Sequence, residues 1–243
     1  MSNYGYFAQV YDSLTKNVEY EKRAEYIFSL LNQNGINSGI MLDLACGTGT
    51  LSKYFSDYGF DMILTDNSPD MLAKAKQKNP GALILCQDMT ELDLYGTIDC
   101  AVCSLDSINH LTRILDVRKT FDKVSLFMNP GGIFIFDVNT VYKHRKILAD
   151  NAFVYETDSS YCVWQNSLNK KTDEVSITLD IFTKEKKLYS RHTESFSERA
   201  YDIKNIKKWL EYSGFRIKSI FGEMTYEPAK EDDQRVYFVA GKI

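Results

Sequence analysis

Three aspartates and two closely spaced glycines are the residues of this chain whose types and spacing most strongly indicate chemistry. Asp43 lies near the end of an apolar run and is followed by Gly47 and Gly49 in the stretch LDLACGTG. Asp66 and Asp88 stand where the next two apolar runs end. A glycine loop after a strand lets backbone N–H groups approach a ligand closely. The pattern therefore predicts a cofactor site at one edge of a sheet.

Two cofactor classes compete for a glycine loop of this kind. A dinucleotide fingerprint reads GxGxxG, and its third glycine would fall at position 52, where this chain has Ser52. Asp66, about 20 residues beyond the loop, suits the two hydroxyls of a ribose in either class. The choice between a dinucleotide and another ribose-bearing cofactor needs further residues.

The elements that position these residues alternate between strand and helix patterns. After an amphipathic helix that stops at Gly35, five continuous apolar runs, from GIMLDLA to IFIFDVN, are separated by helical patterns and by the turn NPGG. One helix begins with Ser68 as N-cap and Pro69 as first residue. Continuous apolar strands joined by helices predict a parallel sheet covered on both faces. We expect an α/β fold with a doubly wound, Rossmann-like, mostly parallel sheet of seven strands.

A different pattern follows the fifth strand. EVSITLDIF alternates polar residues with four apolar ones: Val175, Ile177, Leu179 and Ile181. This alternation, with turns in LNKKTDE and TKEKK, predicts antiparallel sheet. The helix DIKNIKKWLEYSG and the strands FRIKSIF and RVYFVAGKI then return to the first pattern. We expect residues 1–142 and 200–243 to form one α/β domain. Residues 143–199 would be an inserted segment that serves as a substrate lid or a dimerisation surface.

The glycine loop, Asp66 and the stretch CQDM at residues 86–89 together resemble the cofactor site of class I S-adenosylmethionine-dependent methyltransferases. The resemblance covers nearly the whole chain and implies S-adenosylmethionine as the cofactor. It assigns the cofactor to Tyr20, Asp43, Ala45, Cys46, Gly47, Thr48, Gly49, Asp66, Asn67, Met71, Asp88, Met89, Cys103 and Ser104.

The resemblance also implies a role for each part of this set. Asp43 orients the loop and the methionine end of the cofactor, and Asp66 accepts both ribose hydroxyls. Asp88 accepts the adenine amino group, while the Met89 N–H reaches a ring nitrogen. The loop backbone approaches the cofactor, the backbone near Ser104 meets its amino group, and the remaining side chains border the adenosine or close the pocket. Because the cofactor carries a sulfonium and an ammonium, nearby carboxylates are attractive.

Each aspartate also has a purely structural interpretation. Asp43 would then be a loop acceptor, Asp66 a helix cap and Asp88 a solvated strand end. Three acids at three successive strand tips favour the cofactor interpretation.

The substrate side is indicated by FAQVYDSL near the start of the chain and DSINHL at residues 106–111. Both resemble a subgroup of small-molecule methyltransferases that includes the amino-sugar N-methyltransferases and carries a β-rich insertion. Tyr11 would lie on a lid over the methyl group, with simple packing as the alternative. Asp106, Ser107 and Asn109 would face the cleft, with loop hydrogen bonding as the alternative. A base matters if the acceptor is a hydroxyl or a protonated amine, and the candidates for it are Tyr11, Asp106, His110 and His144.

Metal and nucleic-acid chemistry are both disfavoured. Asp106, Asp137 and Asn139 are similar to a magnesium-binding set of catechol-type O-methyltransferases, but Val138 interrupts the usual adjacent pair, so we expect no metal. The net charge of −4 and the absence of a sustained basic face argue against nucleic acid. Cys100 and Cys103 form a CxxC without further zinc ligands and are expected to be buried strand residues.

Composition places the chain among ordinary globular proteins, with 44% hydrophobic residues. No secretory start and no membrane-length apolar run are visible, so we expect a cytoplasmic protein. The leading hypothesis is in-line methyl transfer to a nitrogen or oxygen of a small molecule, with a homodimer as a candidate assembly. The alternatives are an NAD-dependent oxidoreductase and a non-catalytic protein that binds S-adenosylmethionine.

Overall fold

The computed structural model describes residues 6–243, and its N-terminal part builds the parallel half of a sheet. The strands are β1 (Gly39–Leu44), β2 (Phe60–Asp66), β3 (Leu83–Cys86), β4 (Ile98–Cys103) and β5 (Met128–Asn139). The helices are α1 (Phe7–Leu14), α2 (Tyr20–Gln33), α3 (Thr50–Asp57), α4 (Pro69–Lys78) and α5 (Ile114–Phe127). Ser68 caps α4 as predicted, because its hydroxyl accepts the Met71 N–H at 3.4 Å.

The C-terminal part completes a seven-stranded sheet. It contributes α7 (Ile203–Tyr212), β10 (Phe215–Gly222) and β11 (Arg235–Lys242). The strand order is β10-β11-β5-β4-β1-β2-β3, in which β1 to β5 pair in parallel and β10 and β11 are antiparallel. The predicted doubly wound, mostly parallel sheet is confirmed. The turn predicted at NPGG is wrong, since these residues belong to β5 and form a break in its register with β4.

Helices cover both faces of this sheet, and successive side chains of β11 pack alternately against the two layers of helices. Val236, Phe238 and Ala240 pack into the core under α5 and α7. Tyr237 and Val239 pack into the opposite core under α2 and α3. Side chains of a strand alternate between the two faces of its sheet, so a strand inside a sheet that is covered on both faces is buried along its whole length.

A second, four-stranded antiparallel sheet follows β5. A short helix α6 (Val141–Lys143) and a π-helical turn lead into β6 (Ala152–Glu156), β7 (Ser160–Asn169), β8 (Glu174–Glu185) and β9 (Leu188–Arg199). The alternation predicted for β8 is confirmed, because Val175, Ile177, Leu179 and Ile181 are fully buried. They share a core with α1 and with Met71 of α4. The inserted sheet therefore lies against the N-terminal helix.

We find no helix within residues 6–243 that has the length and apolar character needed to cross a membrane.

Candidate active site

One cavity of about 970 Å³ lies at the carboxyl ends of the parallel strands and extends to the inserted sheet. Most of the residues assigned from sequence line it: Tyr11, Tyr20, Asp43, Ala45, Cys46, Gly47, Thr48, Asp66, Asn67, Met71, Asp88, Met89, Ser104, Asp106 and His110. The fold thus brings the two groups of candidate residues, cofactor and acceptor, to a single space.

The glycine loop turns sharply between β1 and α3. Ala45 and Gly47 have φ values of 60° and 54°, in the left-handed region. A Cβ added at Gly47 would meet no heavy atom within 4 Å, and the residue borders the cavity. The loop is held from behind, since the Cys46 N–H donates to the Thr65 carbonyl at 2.9 Å. This geometry leaves room for a ligand to approach the backbone.

Gly49 has a different role from the one expected. It does not line the cavity, and a Cβ added there would lie 2.7 Å from Asn79 Nδ2 and 3.0 Å from the Ala75 side chain. Its carbonyl accepts the Asn79 amide at 2.9 Å. Gly49 therefore lets α3 and α4 pack closely, and its approach to the cofactor stays a prediction.

Asp43 is buried beneath the loop, where its carboxylate accepts a hydrogen bond from the Ser52 hydroxyl. Burial raises the pKa of Asp43 to about 7, and the nearby charge of Asp66 acts in the same direction. A cationic ligand in the cavity would stabilise its ionised form. Ser52 occupies the position of the third glycine in a dinucleotide fingerprint, and here its hydroxyl serves Asp43. This arrangement fits a positively charged cofactor better than a pyrophosphate.

Asp66 links the loop to the end of β2. Its Oδ2 accepts the Gly47 N–H at 2.9 Å and its Oδ1 accepts the Ser68 N–H at 2.9 Å. Burial raises its pKa. Ser68 is the N-cap of α4, so Asp66 does not serve as the cap of this helix.

Asp88 occupies the tip of β3 and is exposed toward the cavity. Its Oδ1 accepts the Thr90 N–H at 2.8 Å and the Thr90 hydroxyl at 2.7 Å. These bonds fix the carboxylate at the start of a short 3₁₀ turn that contains Met89. Asp43, Asp66 and Asp88 thus line one side of the cavity from the glycine loop outward.

The N-terminal helix α1 forms a wall of the same cavity. Its residue Asp12, which the sequence did not single out, accepts the Thr48 hydroxyl at 2.6 Å and pairs with Lys78 Nζ at 2.6 Å. Partial burial alone would raise the pKa of Asp12, but Lys78 and the hydroxyls of Thr48 and Thr50 together outweigh it and lower the pKa. The helix is therefore tied to the loop and to α4 by a charged contact.

Two tyrosines complete this wall. Tyr11 of α1 stands edge-on to Phe7, with ring centroids 5.2 Å apart. Tyr20, the first residue of α2, donates its hydroxyl to Thr15 at 3.2 Å, and burial raises its pKa. Both rings border the cavity.

The inserted sheet also lines the cavity, through Tyr155, Cys162, Trp164, Phe196 and Glu198. Other aromatic and basic residues of this sheet lie elsewhere: Tyr161 and Tyr189 are exposed, Arg191 pairs with Asp180, and His192 stacks on Tyr6.

Asp106 is held by a buried arginine. Arg235, at the start of β11, forms ion pairs with both Asp106 and Asp137. Burial would raise the pKa of Asp106, but the charges of Arg235, Lys143 and His110 and the hydrogen bond from Arg235 together outweigh it and lower the pKa. Asp137 accepts the Leu105 and Asp106 N–H groups at 2.9 and 2.8 Å. Asp137 is thus committed to structure, which removes it from the magnesium set that the sequence suggested.

Asn109 and Cys103 are also placed differently from the expectation. Asn109 is fully buried, its amide donates to the Asn139 and Arg199 carbonyls at 3.1 and 2.9 Å, and its Oδ1 accepts the Asn139 N–H. It joins β5 to the inserted sheet and does not line the cavity, so the geometry supports a structural role, and the catalytic role stays a prediction. Cys103 is fully buried, and only its neighbour Ser104 reaches the cavity.

Three polar side chains lie close together at the acceptor end, with possible metal-ligand atoms within 4.8 Å of one another: Asp106, His110 and Glu198. A divalent cation could bridge such a spacing. Arg235 already neutralises Asp106, and Lys143 adds a second positive charge nearby. We therefore assign no metal to this cluster.

Glu198 and Arg235 were missed by sequence reasoning, because nothing local marks a strand residue as facing a cavity.

Comparisons with known proteins identify the family. A methyltransferase-domain family model matches residues 41–132. Protein YqeM of Bacillus subtilis (strain 168), which bears the name of a methyltransferase, is 31% identical over 97% of this chain and 96% of its own length. A dTDP-3-amino-3,6-dideoxy-alpha-D-glucopyranose N,N-dimethyltransferase from Streptomyces fradiae is 26% identical over 55% of this chain and 53% of its own.

A solved structure agrees with the sequence relatives. The crystal structure of an S-adenosylmethionine-dependent methyltransferase from Clostridium acetobutylicum ATCC 824 superimposes with a TM-score of 0.89 at 30% identity, covering 98% of each chain. The resemblance inferred from the glycine loop and the aspartates is confirmed, and with it S-adenosylmethionine as the cofactor; the alternative of an NAD-dependent oxidoreductase is not supported. This chain belongs to the class I S-adenosylmethionine-dependent methyltransferases.

Proposed function

We propose that the protein transfers the methyl group of S-adenosylmethionine to a small molecule held between the inserted sheet and α1. The observation that carries this proposal is the continuity of one cavity from Gly47 and Asp66 to Trp164 and Phe196. A cofactor at the first end and an acceptor at the second would share one water-poor space. Holding two reactants in line supplies about 7–11 kcal/mol of acceleration in well-oriented systems.

At the cofactor end, the proposed contacts follow the sequence assignment. Asp66 accepts the ribose hydroxyls, and Asp88 accepts the adenine amino group beside the Met89 N–H. Asn67 and Met71 border the adenosine, Tyr20 closes the pocket, and the backbone at Ser104 meets the amino group of the methionine end. The position of these residues along one cavity wall supports the assignment.

At the acceptor end, Tyr11 is proposed to position the nucleophile. Its ring borders the cavity on the α1 side, opposite Trp164 on the inserted sheet. Asp106 is a poor proton acceptor because Arg235 stabilises its ionised form. Burial lowers the pKa of His110, which favours a neutral imidazole at the acceptor end.

An amine is the acceptor class that the relatives support best. Two kinds of relative carry names that specify N-methylation: the sugar N,N-dimethyltransferase of Streptomyces fradiae and a glycine/sarcosine N-methyltransferase of Parasynechococcus marenigrum (strain WH8102). The aromatic side chains Tyr155, Trp164 and Phe196 at the acceptor end suit a cationic amine, since ring faces attract cations. Methyl transfer to a hydroxyl is the alternative outcome of the test.

The test is a transfer assay with methyl-labelled S-adenosylmethionine. The acceptors are glycine, sarcosine, a dTDP-linked 3-amino sugar, the hydroxyl analogue of that sugar, and small-molecule extracts, with RNA and protein fractions as separate arms. Label in a nitrogen-bound methyl of a small molecule is the expected result. Label in RNA or protein alone would contradict the proposed acceptor class, and cofactor binding with no labelled product in any arm would favour the non-catalytic alternative.

A further inference from the structure

Glu198, near the end of β9, is the buried acid that faces the acceptor end of the cavity. Only 3% of the side chain is exposed. Its Oε1 lies 3.8 Å from His110 Nε2 and its Oε2 lies 3.9 Å from His144 Nε2, while the Asn139 amide donates to Oε2 at 3.3 Å. The carboxyl group thus lies between two imidazole rings, one at the cavity and one behind it.

The orientation of His144 fixes which of its nitrogens carries a hydrogen. His144 Nδ1 lies 2.9 Å from the Asp173 carbonyl oxygen, which can only accept, so Nδ1 is the donor. In the neutral ring, Nε2 then carries a lone pair and no hydrogen. This atom is fully buried and has no hydrogen-bond partner among residues 6–243. The nearest acid is Glu198, and a shift of less than one ångström would bring the two atoms within hydrogen-bond distance of each other.

Two acceptor atoms that face each other in a buried place call for one proton between them. Ionised Glu198 would leave both His144 Nε2 and its own Oε2 as acceptors. Protonated Glu198 would donate to that nitrogen. The geometry therefore favours a Glu198 that gains and loses a proton easily, with His144 as the group that stabilises the protonated form.

The surrounding charges lead to the same conclusion. Each element packed around Glu198 contributes a titratable or charged group: Asp106 and His110 from the turn after β4, Lys143 and His144 from the segment after β5, and Arg235 from β11. Arg235 is paired with Asp106 and Asp137. Lys143 donates to the Asn139 side chain at 2.8 Å, and the Asn139 amide donates in turn to Glu198, while the Lys143 charge also acts on Glu198 directly.

Burial and the charge of Asp106 raise the pKa of Glu198 well above its usual range, and Lys143 only partly offsets them. Burial lowers the pKa of His144. Both directions favour a single proton held by the acid rather than an ion pair between the two groups.

We propose that Glu198 is the catalytic proton acceptor of the methyl transfer and that His144 is a positioning residue that sets its charge state. This inference rests on the proposed function. An ammonium acceptor would bind at ionised Glu198, and its N–H bond would break with the proton passing to the carboxylate, whose protonated form donates to His144 Nε2. The electron pair left on nitrogen forms the bond to the methyl carbon. The carbon–sulfur bond breaks, its pair moves to sulfur, and the sulfonium becomes a neutral thioether.

Infrared pH-difference spectroscopy of the purified protein tests the protonation without any acceptor. With isotope-labelled glutamate, the wild type should show a buried glutamic acid band that titrates well above the ~4.3 of a solvated glutamate. The band should be missing from Glu198→Gln and present in Glu156→Gln, a matched control on the exposed face of the same sheet. His144→Asn should shift its midpoint downward. No such band in the wild type, or an unchanged band in Glu198→Gln, would overturn the proposal.

Kinetics with an acceptor from the transfer assay test the catalytic role. Glu198→Gln should lower kcat by roughly 10²- to 10⁴-fold, with the KM for S-adenosylmethionine unchanged and the pH dependence of kcat lost. Glu198→Asp should recover part of the rate, and thermal unfolding identifies any variant that fails to fold. A wild-type kcat and pH profile in folded Glu198→Gln would overturn the role. Failure of the wild type to bind S-adenosylmethionine would instead refute the proposed function.

Discussion

The backbone N–H of Gly47 donates a hydrogen bond of 2.9 Å to the Asp66 carboxylate and so ties the tip of the glycine loop to the end of the neighbouring strand. The residue expected to bind the ribose thus also holds the loop expected to approach the methionine end. The Asp66 carboxylate therefore holds the glycine loop against the end of β2 before the cofactor binds.

The two loop glycines should respond differently to alanine. Gly49→Ala places a methyl group against Asn79 and Ala75 on a backbone that is also left-handed, with φ 68°, so we expect crowding to cost about 1–3 kcal/mol of the free energy of unfolding in addition to the backbone cost. Gly47→Ala meets open space, and the left-handed backbone costs only about 1–2 kcal/mol. Its main effect should be weaker cofactor binding. Denaturant unfolding and calorimetric titration of both variants check this, and equal stability of Gly49→Ala and the wild type would contradict it.

The sequence predicted which strand ends meet at the cavity because its signals are local. Apolar runs mark the strands, and parallel strands bring their carboxyl ends to one edge, so Asp43, Asp66 and Asp88 had to lie near each other. Contacts between distant segments leave no such signal. Asp12 meets Lys78 across 66 residues and Asp106 meets Arg235 across 129, and neither pairing follows from either residue alone.

Two assignments that the geometry does not support have a common cause. Asn109 and Gly49 have residue types that suit a ligand site and a packing role equally well, and both stand in a suggestive motif. Only the geometry shows that Asn109 bonds to backbone atoms of two other segments and that Gly49 makes room for α4.

Asp43 should make cofactor binding depend on pH. Its pKa of about 7 in the ligand-free protein means that the carboxyl is protonated below neutrality and ionised above it. Since the ionised form attracts a cation, affinity for S-adenosylmethionine should rise between about pH 6 and 8, by no more than tenfold per pH unit for a single proton. Calorimetric titrations across this range measure the slope, which Asp43→Asn should abolish. A flat profile in the wild type would count against this account.

The same pKa has a consequence for stability. The folded protein holds a proton that the unfolded chain, with a usual value of about 3.9, releases. This contribution is present below about pH 4 and is lost as the pH rises through about 7. The stability of ligand-free Asp43→Asn should therefore fall less than that of the wild type between those values, as followed by denaturant unfolding.

The Asp12 contact should control how fast the cofactor leaves. Asp12→Asn removes the ion pair with Lys78, which is partly exposed and contributes about 1 kcal/mol at most. We expect a several-fold faster release of S-adenosylmethionine in stopped-flow experiments, with little change in thermal stability. Lys78→Met should behave like Asp12→Asn, and Lys76→Met on the exposed side of the same helix is the control. Identical release rates for all variants would show that α1 does not retain the cofactor.

The inserted sheet should affect the acceptor and not the cofactor. Trp164→Ala removes a ring from the acceptor end, so the KM for the acceptor should rise roughly tenfold or more while the affinity for S-adenosylmethionine stays the same. Because this sheet shares its core with α1 and Met71, a point variant is a cleaner test than deletion of residues 143–199. Tyr161→Ala, at an exposed position on the same strand, serves as control. Loss of cofactor affinity in Trp164→Ala would contradict the division between the two ends.

Calorimetric titration of the wild type, Asp66→Ala and Asp61→Ala with S-adenosylmethionine tests the assignment of the cofactor end most directly. Asp61 lies on the same strand as Asp66 but is exposed at the other end, so it controls for the loss of a carboxylate. The account predicts that the wild type and Asp61→Ala bind alike and that Asp66→Ala loses about 1.5–3 kcal/mol of binding free energy for each charged hydrogen bond removed. Equal affinity of all three proteins would contradict it.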